Sequence, residues 1–155
     1  MFRPMRRFRQ QLSDSECEQI LKEEPRGVLS VYGEDGYPYG MPVNFLYADG
    51  KLYFHGAKQG HKIDALKKDN RVSFCVYNKG YREEGKLGLN IKSVIIFGRI
   101  QPVENPAKRE EMTRKIGLKY DPADFVEAEV KRTASSVQIL ELTIDHMTGK
   151  LVNES

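Results

Sequence analysis

The sequence predicts a mainly β fold of the α+β class, an antiparallel barrel or curled sheet of about six strands with peripheral helices. Three observations support it. Apolar and polar residues alternate in several segments, tight-turn sequences separate these segments, and long helices do not follow every strand as in a doubly wound sheet. With 155 residues, no internal repeat and no linker, one domain over residues 1–155 is expected.

The first predicted element is a helix. Ser13 and Glu16 have the spacing of a capping box, in which each residue satisfies a backbone N–H group of the first turn. Pro25 disfavours helical backbone just before it. The helix is therefore expected over about residues 14–24.

Three consecutive strands are expected next, forming a meander. Apolar residues alternate around Leu29 and Val31 and again over residues 41–47. Turn sequences at 34–36 and at Asp49-Gly50 connect these two strands and a third.

The remaining elements follow from the same signals. Pro106 is suited to the first turn of a helix, where its missing N–H group has no helical partner. The chain is expected to form a helix over 60–68, a strand over 72–77, a polar loop over 78–89, a strand over 92–103, helices over 106–117 and 121–131, and a strand over 136–144 followed by a turn at Thr148-Gly149.

The net charge of +3 comes from the N-terminal arm. Its first nine residues contain four arginines and no acid, which leaves 21 bases and 22 acids in the rest. Such an arm is able to bind nucleic acid or an anionic surface. Because the body lacks a basic stripe, a solvated or partner-packed arm is expected and nucleic-acid binding is disfavoured.

The composition also indicates the cellular compartment of the protein. No apolar run exceeds four residues, so no membrane span is predicted, and no secretory signal follows the arginine-rich start. Cys17 and Cys75 are too few for a disulfide framework. A cytoplasmic protein is expected.

Common catalytic signatures are missing: there is no G-x-S-x-G, H-E-x-x-H, P-loop or G-x-G-x-x-G sequence. His55, His61 and Cys75 lack any recognised ligand spacing, so no metal site is predicted.

The densest polar cluster lies between Tyr53 and Leu66. Gly60, His61 and Lys62 open the predicted helix, where free N–H groups and the positive end of the dipole favour an anion, and Lys58 adds a cation. A phosphate monoester is the natural ligand. The alternative is that these side chains are simply solvated.

His55 points away from the face of its strand that carries Leu52 and Phe54. A single strand histidine is usually a surface or hydrogen-bonded residue. Beside a phosphate site it becomes a candidate functional residue.

Residues 27–77 strongly resemble the FMN-binding split-barrel superfamily, and specifically the branch related to pyridoxamine 5′-phosphate oxidase that includes 5-nitroimidazole-resistance proteins. The most specific segments are Gly40–Tyr47 and Tyr53–Leu66. Supporting similarities extend over nearly the whole chain, at Met5–Arg7, the LSDSEC helix start, Ser93–Ile100 and Met147–Lys150.

The resemblance implies a split β-barrel with FMN in a groove at a homodimer interface. It places the isoalloxazine edge against the backbone of Pro42, Val43 and Asn44. It places the phosphate around Gly60, His61 and Lys62, and His55 close to the flavin. Ser93 is a further flavin contact, with the second subunit as one possible source.

The sequence departs from the oxidase at the phosphate segment. There the oxidase has Ser-Arg-Lys, whereas Gly60 and His61 replace the first two residues here. The Arg and Lys that the oxidase carries on the earlier strand are missing from residues 42–47. This argues against pyridoxamine phosphate oxidation and leaves FMN binding intact.

The expected function is an FMN-dependent oxidoreductase, nitroreductase-like, acting on a small-molecule substrate. His55 is the expected catalytic residue, orienting or protonating the substrate. NADH or NADPH would dock transiently as reductant. The alternative is a non-catalytic module that binds FMN or another phosphorylated or haem-like ligand. A homodimer is expected because a barrel of this size buries little of FMN by itself.

Overall fold

The computed structural model describes residues 1–56 and 58–154, and the strands in these residues form one antiparallel sheet in the order β2-β1-β5-β6-β7-β4-β3. The strands are β1 (Arg26–Tyr32), β2 (Pro38–Asn44), β3 (Leu46–Ala48), β4 (Lys51–Gly56), β5 (Arg71–Tyr77), β6 (Leu89–Pro102) and β7 (Gln138–Glu154). The helices are α1 (Asp14–Glu23), α2 (His61–Lys68), α3 (Pro106–Tyr120) and α4 (Ala123–Thr133).

The sheet curls until its two edges approach each other at one residue. β2 and β3 are the outermost strands, yet only Phe45 separates them in the chain. The Phe45 ring is fully buried and lies edge-on to that of Phe74, 5.0 Å between centroids. The predicted mainly β split barrel is confirmed, with seven described strands.

Phe45 also changes the predicted meander. The single strand expected over 41–47 is divided at this residue: β2 pairs with β1, whereas β3 pairs with β4. The turn before β4 is as predicted, since Asp49 and Gly50 both have positive φ angles, 54° and 72°.

The interior of the barrel is filled by one face of each long strand, as the alternating pattern predicts. The buried residues on this face include Leu29, Val31, Leu52, Phe54, Phe74, Val76, Val94, Ile96, Ile100, Leu140 and Leu142.

The first two helices close the barrel interior. The capping box of α1 is confirmed, because Ser13 Oγ accepts from the Glu16 N–H at 3.2 Å and the Glu16 carboxylate accepts from the Ser13 N–H at 3.4 Å. The buried face of α2 is formed by Ile63 and Ala65, with Leu66 partly buried against the same core.

The other two helices cover the outer face of β4 and β7. Tyr53 and Ile139 from these strands form a second apolar cluster with Met112 and Ile116 of α3. α3 and α4 pack closely, since a Cβ atom added to Gly117 would lie 2.8 Å from Val126. This arrangement leaves one side of the helix pair facing β2.

The expected end of the last strand is wrong. β7 continues to Glu154, and Thr148 and Gly149 pair with Ile95 and Val94 of β6 instead of forming a turn. Gly149 is needed for close packing, because a Cβ atom there would collide with Cys17 of α1. Gly149 therefore reflects close packing against α1 and not a turn.

The N-terminal arm begins on the outer face of the sheet. The ring of Phe2 stacks on that of His146, with centroids 4.7 Å apart. Within residues 1–56 and 58–154, no helix has the length and apolar character needed to cross a bilayer.

Candidate functional site

A groove of about 510 Å³ lies between the end of β2, the end of β4 and the helices α3 and α4. Four residues predicted from sequence line it: Pro42, Val43, Asn44 and His55. The other lining residues are Thr113, Ile116, Gly117, Tyr120, Asp121, Phe125, Val126, Glu129, Val130 and Thr133. Volumes in this range are typical of sites for small molecules and cofactors.

The β2 wall of the groove presents backbone groups. β2 is an edge strand that pairs with β1 alone, so the backbone groups on its other side are outside the ladder. The side chains of Pro42 and Asn44 are exposed, whereas Val43 packs partly on the barrel core. This wall can therefore offer backbone donors and acceptors to a planar polar ring.

His55 lies at the end of β4, on the same outer face as Tyr53. It remains accessible to solvent, but the groove walls remove part of its hydration. This partial burial lowers the pKa of His55 below 6.5, the nearby Lys62 ammonium lowers it further, and Glu129 opposes the change. A neutral imidazole is thus favoured near neutral pH.

The C-terminal end of α3 fixes the groove by binding the backbone of Phe45. The hydroxyl of Tyr120 accepts from the Phe45 N–H at 2.9 Å and lies 3.0 Å from the Phe45 carbonyl. The ammonium of Lys119 donates to the carbonyls of Phe45 at 2.7 Å and Glu24 at 2.9 Å. These bonds satisfy backbone groups at the break between β2 and β3.

Burial lowers the pKa of Lys119 to about 8, and Glu24 opposes this change. The ammonium also lies 3.8 Å from the centroid of the Phe45 ring. The Lys119 side chain therefore holds the end of α3 in place through its contacts with Phe45 and Glu24. We name the set of Lys119, Tyr120 and Phe45 the α3 clasp.

A second polar cluster holds the start of α3 on the sheet. Glu141 of β7 is buried and accepts bonds from Lys51 at 2.9 Å, Lys108 at 2.8 Å and Tyr53 at 3.0 Å. Burial alone would raise the pKa of Glu141, but the bonds from Lys108, Lys51 and Tyr53 outweigh it and hold the pKa at about 2. The groove wall is thus anchored at both ends of α3.

The charged side chains in the described groove lining are Asp121 and Glu129, both acidic. Asp121 is exposed just after α3. Glu129 is half-buried on α4 and accepts a bond from Arg132 Nε at 3.1 Å. The hydrogen bonds from Arg132 lower the pKa of Glu129, so it is ionised at neutral pH.

The predicted phosphate-binding residues lie beside this groove and not in its lining. Gly60 precedes α2 with φ 129°, and His61 stacks on Tyr39 at 4.3 Å between centroids. Lys62 is half-buried, and a Cβ atom on Gly56 would lie 3.4 Å from its Nζ. We call this region, with Lys58, the α2 corner.

Lys58 extends the α2 corner towards the end of α4, where its Nζ donates to the Ser135 carbonyl at 3.2 Å. Burial lowers the pKa of Lys62. Gln138 pairs with Gly56 across the sheet, and its buried Oε1 has no partner among the described residues. An acceptor and two cations therefore lie around the end of β4, where a ligand with both hydroxyl and phosphate groups would be suited.

Ser93 is not brought to the groove. It pairs with Tyr77 and Lys150 on the outer face of the sheet, opposite the buried Val94. Within the described chain, no three His, Cys, Asp or Glu residues converge as metal ligands.

Sequence reasoning missed the whole helical wall of the groove. The sequence predicts helices over 106–117 and 121–131, but no site residue was assigned to either of them. One available signal was Phe125, a large apolar residue that α4 leaves 53% exposed instead of burying it with Val126 and Val130. An aromatic residue outside the apolar stripe of a helix indicates a second contact surface.

A family model described as pyridoxamine 5′-phosphate oxidase matches residues 13–151. No curated protein sequence matches the chain.

Several solved structures share the fold. One is a candidate 5-nitroimidazole antibiotic resistance protein from Bacteroides thetaiotaomicron, with 20% identity and a TM-score of 0.77 over 93% of this chain and 87% of that one. An FAD-binding protein from Mesorhizobium loti has 22% identity and a TM-score of 0.69 over 92% and 96%. An FAD and heme binding protein from Mycobacterium smegmatis has 20% identity and a TM-score of 0.73 over 92% and 73%.

Proposed function

The chain belongs to the pyridoxamine 5′-phosphate oxidase family, and we propose that it is an FMN-binding flavoprotein that reduces a small organic substrate, as a nitroreductase does, at a homodimer interface. The observation that carries this proposal is the adjacency of two sites. An apolar groove with an open strand edge lies beside a corner with cationic side chains. FMN needs both, because it joins a planar ring to a phosphate.

The α2 corner would hold the phosphate. Lys62 and Lys58 supply positive charge, His61 a ring N–H donor, and Gly60 opens a helix start with free N–H groups. Each charge-assisted bond is expected to contribute roughly 1.5–3 kcal/mol. The buried Oε1 of Gln138 is an acceptor suited to a hydroxyl of the ribityl chain.

The groove would hold the ring. Backbone groups at Pro42, Val43 and Asn44 would bind the polar ring edge, and the α3 clasp keeps this edge in position. Bound FMN would supply the electron transfer. His55 would orient the substrate and hold the proton to be donated to it at its imidazole nitrogen.

Pyridoxamine 5′-phosphate itself is not the substrate that we propose. The described groove lining contains no lysine or arginine to bind a second phosphate. This agrees with the replacement of the oxidase's arginine by His61 and with the lack of Arg and Lys over residues 42–47.

The first test is the visible spectrum of the isolated protein and the identity of the ligand that denaturation releases. In Lys62→Ala, the dissociation constant of FMN is expected to rise by about 10- to 150-fold, measured by quenching of FMN fluorescence on titration of apoprotein. Lys68→Ala, at the exposed end of the same helix, is the matched control. Equal FMN affinity in Lys62→Ala and the wild type would refute the phosphate assignment.

A non-catalytic module that binds FMN or a haem-like ligand is the second candidate. Anaerobic mixing of the flavin-loaded protein with NADH or NADPH separates the two. Loss of the visible flavin absorbance supports the oxidoreductase, whereas an unchanged spectrum supports the binding module.

The dimer is proposed from the outer face of β1, β5 and β6. Val28, Ile95 and Phe97 on this face are each 37–41% exposed, and Tyr32 and Tyr77 are more so. A second copy would cover this apolar surface and bring its own Ser93 towards the site. Sedimentation of the flavin-loaded protein as a monomer would contradict the dimer.

We expect the reaction to take place in the cytoplasm. Cys17 and Cys75 are free thiols in the described structure, which suits a reducing compartment.

A further inference from the structure

We propose that the groove selects flat ring compounds that are uncharged or cationic and rejects carboxylates and phosphates, and that Glu129 sets this preference. The inference rests on the proposed flavin site and names the class of its substrate. The flavin ring would lie along the β2 edge, and the substrate would occupy the part of the groove that α3 and α4 line.

The apolar part of the groove suits a ring. Ile116, Val126 and Val130 supply aliphatic surface from the two helices, and Phe125 and Tyr120 supply aromatic surface. The 53% exposure of Phe125 leaves apolar area that a stacked ring would remove from water. Such burial stabilises the complex in proportion to the apolar area that is removed from water.

The charge of the groove decides which rings bind. Asp121 and Glu129 are its charged lining residues in the described chain, and a neutral imidazole is favoured at His55. A bound carboxylate would therefore lose hydration without gaining a counter-charge from the groove lining. An ammonium group beside Glu129 would instead gain the negative charge of that carboxylate as a partner.

The neighbouring cations do not reverse this preference. Arg132 binds both carboxylate oxygens of Glu129, but its side chain is 69% exposed, so solvent screens this pair and leaves part of the Glu129 charge effective in the groove. Lys58 and Lys62 lie in the α2 corner, outside the groove lining. In the flavin-loaded protein their charge would be engaged by the phosphate.

Three probes of similar size test the inference: benzylamine, benzyl alcohol and benzoate. Each is titrated calorimetrically into the flavin-loaded full-length protein at pH 7 and low ionic strength. Benzylamine is expected to bind at least about tenfold more tightly than benzoate, with benzyl alcohol between them, because Glu129 attracts the ammonium group and repels the carboxylate. High salt is expected to reduce the difference.

Glu129→Gln is expected to reduce the ratio of the two dissociation constants to about threefold or less, with the affinity for benzyl alcohol unchanged. Glu127→Gln is the matched control, since Glu127 lies on the same helix and binds Arg114 outside the groove lining. Circular dichroism checks that both variants fold.

The inference is overturned if benzoate binds as tightly as benzylamine, if no probe binds, or if Glu129→Gln and Glu127→Gln give the same ratio. A failure of the proposed flavin function would be seen in a different measurement, the visible spectrum of the isolated protein. If the isolated protein holds no flavin, the same titrations on that protein still measure the selectivity of the groove.

Discussion

The two ends of the proposed site are built in opposite ways. The helical wall of the groove depends on bonds between distant parts of the chain: Tyr120 binds Phe45, which is 75 residues away, and Glu141 binds Lys51 and Lys108. The α2 corner consists of neighbours in sequence whose side chains are exposed or half-buried. The ring end is therefore preorganised, whereas the phosphate end can rearrange around an anion.

The largest expected effect concerns turnover at the ring end. His55→Gln is expected to retain FMN but to lower kcat by about 10²- to 10⁴-fold, because it removes the proton donor proposed for the substrate. The readout is steady-state reduction of 4-nitrobenzyl alcohol by NADH. His146→Gln, on the outer face beside Phe2, is the control and is expected to keep the wild-type rate.

The pH profile of the same reaction sharpens this prediction. Partial burial and Lys62 lower the pKa of His55, so its proton is bound only at acidic pH. The wild-type rate is expected to rise as the pH falls below 6.5, whereas the rate of His55→Gln stays flat over this range. If the wild type and His55→Gln have parallel pH–rate profiles, His55 does not donate the proton.

The next largest effect concerns the stability of the groove wall. Glu141→Ala leaves Lys51, Lys108 and Tyr53 without their shared acceptor and is expected to lower the free energy of unfolding by about 2–3 kcal/mol, less than for a fully buried pair because both lysines reach water. Lys58→Ala in the α2 corner is expected to change it by less than about 0.5 kcal/mol. Equal losses of unfolding free energy in Glu141→Ala and Lys58→Ala, measured by urea denaturation, would show that the two ends of the site do not differ in preorganisation.

The same carboxylate is expected to make the stability of the protein depend on pH in acid. The pKa of Glu141 is about 2 in the folded protein and its ordinary value is 4.5. The unfolded chain thus binds this proton first as the pH falls, and the stabilisation present above pH 4.5 is lost between 4.5 and 2. The unfolding free energy of Glu141→Ala is expected to depend less steeply on pH over this interval.

The contrast between the two ends also explains what the sequence could predict. The α2 corner was predicted because Gly60, His61 and Lys62 are adjacent and form a local helix start. Pro42 to Asn44 and His55 were placed by resemblance, and the structure brings them to one groove. Local patterns and family similarity therefore identified these residues, and their binding roles stay a prediction.

The helical wall could not be predicted in the same way. The partners of Tyr120 are backbone groups at Phe45 and Pro25, and no periodicity in α3 indicates which distant carbonyl a tyrosine will reach. The break at Phe45 is equally hidden, because residues on both sides continue the alternating pattern. These features depend on how the curled sheet brings its edges together.

A smaller effect is expected at the α3 clasp. Tyr120→Phe leaves the Phe45 N–H without its acceptor and is expected to lower the unfolding free energy by about 1–2 kcal/mol, since water reaches part of this side chain. Hydrogen exchange at residues 43–46 is expected to become faster. Tyr37→Phe, whose side chain is 77% exposed, should change neither. Unchanged exchange in Tyr120→Phe would show that the clasp does not hold the β2 edge.

A pH dependence of opposite sign is expected at two lysines of α3. Burial lowers the pKa of Lys119 to about 8, so between pH 8 and its ordinary value of 10.5 the unfolded chain binds more protons and the stability of the wild type rises relative to Lys119→Met. The hydrogen bond to Glu111 raises the pKa of Lys115 instead, so the stabilisation that Lys115 provides is lost as the pH rises beyond 10.5.

Urea denaturation of the wild type, Lys119→Met and Lys115→Met from pH 7 to the alkaline limit of reversible folding measures both trends. If stability falls with pH at Lys119 as well, its ammonium charge is required by the carbonyls of Glu24 and Phe45. The clasp would then be electrostatic, like the Glu141 cluster at the other end of α3.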